Sequence, residues 1–167
     1  GGLTLPNVEG YEQAYPVRIL RLALRTDTAG AGQYRGGAGV DYLCELSVPT
    51  AHAIRSEGVG RPSGFGVNGG LTGAAGVMEV TDRVRGPMPP PQYGIQQLGP
   101  ARIRVLSSAG GGWGDPHARD PQAVLDDVRD EIVSPQAAHD IYGVALSADG
   151  RSVDVAATAR LRAPGPG

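Results

Sequence analysis

At 167 residues and a formal net charge of −2, the chain has no basic field to hold nucleic acid or an anionic membrane. All fifteen basic residues are arginine, so neither a Schiff-base lysine nor a phosphate-loop lysine is available from this sequence. Hydrophobic residues are 40 % of the total against 27 glycines and 14 prolines, which predicts one domain with much irregular backbone, leaning on a partner for part of its core.

In chain order, the first predicted strand lies within Tyr15 to Arg25. Val17, Ile19, Leu22 and Leu24 alternate with arginines on a wet face, and the alternation slips near Leu20-Arg21, where a bend is expected. A glycine-rich turn follows over Thr28 to Gly39, then strands over Val40 to Val48 and Thr50 to Arg55. The lone cysteine, Cys44, sits in the apolar run Tyr42-Leu43-Cys44-Glu45-Leu46 and predicts a buried, inert thiol. Residues Ser56 to Gly76 are mostly turn formers. Val77 to Val84 reads as a strand, Gly86 to Pro91 as a polyproline-like loop, and Ala101 to Leu106 as a half-buried strand.

The last third changes character. Asp120-Pro121 and Ser134-Pro135 each place a capping side chain before a proline, the start signal of a helix. In the first of these helices Val124, Leu125, Val128 and Ile132 recur at helical spacing, with Asp126, Asp127, Asp130 and Glu131 expected on a solvated face. A strand Val144-Ala145-Leu146, a turn Ala148 to Arg151 and a third helix from Ser152 through Leu161 complete the reading, before a Pro164-Gly165-Pro166-Gly167 tail. The fold class is therefore α+β. A β-rich core with glycine-rich loops is expected over 1–115, and short helices with one strand over 116–167. No signal peptide and no run of membrane-spanning length is seen, which predicts a cytoplasmic protein. The start Gly1-Gly2-Leu3 lacks methionine, as trimming, processing or a longer parent chain would leave it.

Few residues point to chemistry. Gly64-Phe65-Gly66-Val67-Asn68-Gly69 satisfies GxGxxG, but no strand precedes it and no helix follows it, so it is not a nucleotide site. His52, His117 and His139 show no metal-ligand spacing. Two loops carry the remaining candidates: Tyr34-Arg35-Gly36-Gly37 and Gly111-Gly112-Trp113-Gly114-Asp115. Their glycines permit close backbone approach, Trp113 suits an interface, and Asp115 suits a cap on the Pro116 turn. These nine residues are the candidates for lining a site or a subunit seam.

Several blocks follow one another in a specific order and spacing: Tyr15-Pro16, the run Gly30 to Val40, Arg55-Ser56-Glu57, Gly64 to Gly70, Gly110 to Pro116, Arg119-Asp120-Pro121, Val128-Arg129-Asp130, Val133-Ser134-Pro135, Ala137-Ala138 and Tyr142-Gly143-Val144. Together they resemble the C-terminal portion of the B-type subunit of the hydantoinase/oxoprolinase family, which includes acetone and acetophenone carboxylases. The resemblance implies a subunit of a multisubunit ATP-dependent cyclic-amide hydrolase, or of a ketone carboxylase, inactive alone. It implies ATP with magnesium in an A-type partner and a divalent metal in the rest of the B-type subunit, with neither cofactor nor metal held by this chain. Expected partners are that remainder, the A-type subunit and a small-molecule substrate. A purely structural assembly module is the alternative from another class.

Overall fold

The computed structural model describes residues 7–163; the Gly1-Gly2-Leu3 start and the proline-glycine tail lie outside them. Helix α1 (Val8–Ala14) is capped by the Asn7 side chain and leads into β1 (Val17–Leu24). Then come β2 (Val40–Leu46), β3 (Thr50–Arg55), β4 (Val77–Asp82), β5 (Gly86–Met88), β6 (Tyr93–Leu98) and β7 (Ala101–Leu106). Helices α2 (Pro121–Arg129), α3 (Pro135–Asp140) and α4 (Val155–Arg162) close the chain. The α+β class and the order of strands then helices are as the sequence predicts.

Five strands form an antiparallel sheet in the order β1-β2-β7-β4-β5, and β3 pairs with β6 in a separate ribbon. The ribbon continues the central ladder: Leu46 pairs with Ala101 at the end of β2–β7, and Thr50 pairs with Leu98 just beyond. Leu98 thereby packs with Cys44, Val80, Ala101 and Ile103, the buried cluster on the inner face of the sheet. The opposite face is charged, with Arg102 on Glu45 at 2.6 Å, and Arg21 and Arg104 both on Asp41 at 2.8 and 3.0 Å. The bend foreseen in β1 is a register shift between Ile19 and Arg21, which puts Leu22 and Leu24 on the same face as Val17 and Ile19.

Three readings are corrected and two elements are added. Gly86 to Met88 is strand rather than loop, because the carboxylate of Asp82 accepts the Val84 and Arg85 N–H groups and closes a β4–β5 hairpin. Val144 to Leu146 forms only an isolated bridge, Leu146 to Val153. Helix α4 is capped by Asp154, not Ser152. Finally, α1 and β6 carry too little periodic signal to be read from sequence.

Candidate functional site

Between the sheet and the helices lie three glycine-rich segments, residues 28–37, 64–76 and 108–114, without helix or ladder of their own. Each bonds to both others. Trp113 and Tyr34 exchange N–H···O bonds of 2.8 and 3.0 Å, Val67 N donates to Gly112 O at 3.0 Å, and Leu71 N donates to Ala31 O at 2.7 Å. This is a triangular bundle of extended backbones, satisfied internally like a sheet but closed in cross-section. It requires glycine: a Cβ on Gly111 would overlap the Phe65 carbonyl, one on Gly112 the Ala31 carbonyl, and one on Gly64 would stand 2.5 Å from Ala109 O. Gly114 additionally adopts φ +78°, which favours glycine.

The bundle brings both candidate loops together. Gly36 packs on Gly110, Gly110 N donates to Gly37 O at 2.9 Å, and the rings of Tyr34 and Trp113 lie 5.7 Å apart at 49°. These rings are 63 % and 46 % exposed, and Val67, bridged to Trp113 on its other side, is also exposed. Asp115 caps the following turn by accepting the His117 N–H at 2.9 Å, as expected.

Arg35 points inward, away from this ledge. Its Nε donates to Asp127 Oδ1 at 2.9 Å, its Nη2 forms an ion pair with the same oxygen at 2.8 Å, and its Nη1 donates to Gly36 O. Arg119 holds the other oxygen, Nη2 to Asp127 Oδ2 at 2.9 Å, while its Nη1 donates to Gln33 O. Arg162 in turn donates to Arg119 O and Tyr142 O. Asp127 is thus buried, which corrects its placement on a solvated face; Asp126, Asp130 and Glu131 are exposed as expected. The Asp127 hydrogen bond and charge raise the Arg35 pKa against an opposing effect of burial. Sequence reasoning missed this brace because the helical period alone places Asp127 beside Asp126. Its signal is the neighbouring pattern Val124, Leu125, Val128, whose buried arc includes position 127.

Other polar groups stand apart. Cys44 is buried and its thiol pKa is raised by desolvation. His52 lies on β3, His117 after the Trp113 loop and His139 on α3. Among the described residues no group of three or more His, Cys, Asp or Glu side chains is disposed to hold a metal. No helix among them is long and apolar enough to cross a membrane.

The sequence profile of the Hydantoinase B/oxoprolinase family matches residues 1–116, and the chain belongs to that family. It is 33 % identical to caprolactamase subunit beta of Pseudomonas jessenii, an alignment that takes in 98 % of this chain and 29 % of that protein. The crystal structure of the ATP-dependent caprolactamase from the same organism superposes with a TM-score of 0.67, over 95 % of this chain and 28 % of that one. A nucleotide-free acetone carboxylase structure shares the fold, with a TM-score of 0.68 at 23 % identity, over 95 % of this chain and 26 % of that one. The chain therefore spans less than a third of the length of these relatives.

Proposed function

We propose that this chain is the C-terminal part of the B-type component of a multisubunit ATP-dependent cyclic-amide hydrolase, of the hydantoinase/5-oxoprolinase type. Its role is to complete the subunit fold and line the seam near the reaction centre. The observation that carries the reading is the glycine bundle, which packs Tyr34, Arg35, Gly36 and Gly37 against Gly111, Gly112, Trp113, Gly114 and Asp115 and leaves an uncharged aromatic ledge exposed. Such a ledge suits the core of an interface, where aromatic groups are enriched and charges depleted. Identity is 33 % to a caprolactamase subunit over 98 % of this chain and 28 % to the acetone carboxylase alpha subunit over 94 %, and the higher identity favours amide hydrolysis over ketone carboxylation.

The described residues supply neither a metal-ligand cluster nor a phosphate-binding lysine. By the family resemblance, ATP with magnesium belongs to an A-type partner and a divalent metal to the remainder of the B-type subunit. We read the assembly as cytoplasmic. Arg35, with its guanidinium committed to Asp127, acts as a brace beneath the seam rather than on substrate.

The test is native mass spectrometry of the protein from its own source, followed by turnover of the complex with lactam, hydantoin or oxoproline against ketone plus bicarbonate. Co-migration with a B-type remainder and an ATP-binding chain, with amide turnover, supports the reading. In that complex, Trp113→Ala with assembly intact and turnover lost assigns the ledge to the reaction centre; lost assembly assigns it a structural role alone. A stable lone monomer refutes the proposal.

A further inference from the structure

The inner face of the main sheet is covered unevenly. The β3–β6 ribbon closes it over β4 and β7, where Val80, Ala101 and Ile103 are buried. Among the described residues the cover toward β1 is only α1, a helix none of whose residues is buried. Between them opens a cleft of about 340 Å³, lined by Tyr11, Tyr15, Val17, Tyr42, Leu46 and Val105 among others. Its apolar floor runs on past the cleft along β1: Val17, Ile19 and Leu22 are only half-buried, and Leu24 is 55 % exposed. Eight residues of strand make this strip roughly 23 Å long at about 3.3 Å per residue. That is the footprint of a secondary-structure element, several times longer than a lactam ring.

The free edge of β1 is obstructed, because the Glu12 carboxylate accepts the Ile19 N–H at 2.6 Å. A guest therefore lies on the face rather than extending the sheet. The relatives' length points to its identity: relatives of the same fold are more than three times as long, so most of the B-type length they share lies outside these 167 residues. We infer that the open face from Tyr15 to Leu24 is the seat of an apolar helix or strand from the part of the B-type polypeptide lying outside these 167 residues. This contact is separate from the Tyr34–Trp113 ledge and rests on the B-type reading above.

Photo-crosslinking in the assembled complex tests it, with Tyr15→p-benzoylphenylalanine and Leu24→p-benzoylphenylalanine as probes. Thr81→p-benzoylphenylalanine, on the exposed charged face of β4, is the control. Both probes should link to B-type peptides outside these 167 residues, at least tenfold above the control. If the complex assembles but the probes link to nothing, to a second copy or to the ATP-binding chain, this inference fails while the functional reading survives. A chain that purifies without any B-type remainder removes the reading and the inference with it. As a second measure, Leu24→Asp should weaken assembly tenfold or more; unweakened assembly overturns the inference.

Discussion

Replacing Asp127 with asparagine tests the brace beneath the seam. The carboxylate takes two charge-assisted hydrogen bonds and one further ion-pair contact from two guanidiniums whose side chains are only 21 % and 15 % exposed. Breaking a buried ion pair from one side typically costs about 3–5 kcal/mol. Here the lower end applies, because Arg35 keeps its bond to Gly36 O and Arg119 its bond to Gln33 O, and asparagine still offers one acceptor. We expect a loss of about 3 kcal/mol, which for a domain of this size lowers Tm by roughly 6–12 °C. Asp126→Asn, one residue away, removes an exposed pair with Arg129 whose side chains are 53 % and 57 % accessible. That change should stay within about 0.5 kcal/mol. Thermal unfolding of both variants at pH 7 by circular dichroism decides the matter; equal shifts would refute the argument that burial makes Asp127 different.

Three further outcomes are expected. Gly111→Ala should cost more than about 3 kcal/mol because its Cβ would overlap the Phe65 carbonyl, whereas Gly37→Ala, with open space around it, should stay within about 0.5 kcal/mol; chemical denaturation compares them. Arg85 and the backbone N–H groups of Arg85, Val84 and Gly99 hold the Asp82 carboxyl well below the usual carboxylate range. Its stabilisation is present above the unfolded pKa of about 3.9 and fades as pH falls below it; Asp82→Asn should flatten that part of the acid-unfolding curve. Desolvation lowers the His52 pKa, so protonation favours the unfolded chain. Stability should decline as pH drops from about 6.5 toward the folded value, and an unchanged slope in His52→Phe, followed by urea unfolding between pH 5 and 7, would contradict this.

Much of the architecture was legible because it rests on alternation and caps. Val17 and Ile19, Ile103 and Val105, and the Asp120-Pro121 and Ser134-Pro135 starts all behave as local rules require. The elements that escaped are held by contacts distant in sequence. Tyr93 to Leu98 is polar and half glycine-glutamine, and becomes a strand only because β3 pairs with it. The same holds for the site. Gly64, Gly70, Gly73 and Gly76 fall at multiples of three, as do Gly30, Gly36 and Gly39, the period of an extended three-fold chain. That spacing signals the bundle, yet nothing local says that the segments meet. Asp127 belongs to the same class of omission, since its partners lie 92 residues before it and eight before it.

The glycine bundle also separates order from its usual optical signature. Backbone amides at Gly30, Leu71, Gly110, Gly112 and Trp113 are bonded across segments that contain neither helix nor strand. Far-ultraviolet spectra will therefore register these stretches as coil, while their protons exchange with solvent as slowly as those of a central strand. Amide protection should trace three stripes through regions that look unstructured in a spectrum. Loss of one stripe should release all three, because each segment of the triangle is hydrogen-bonded to the other two.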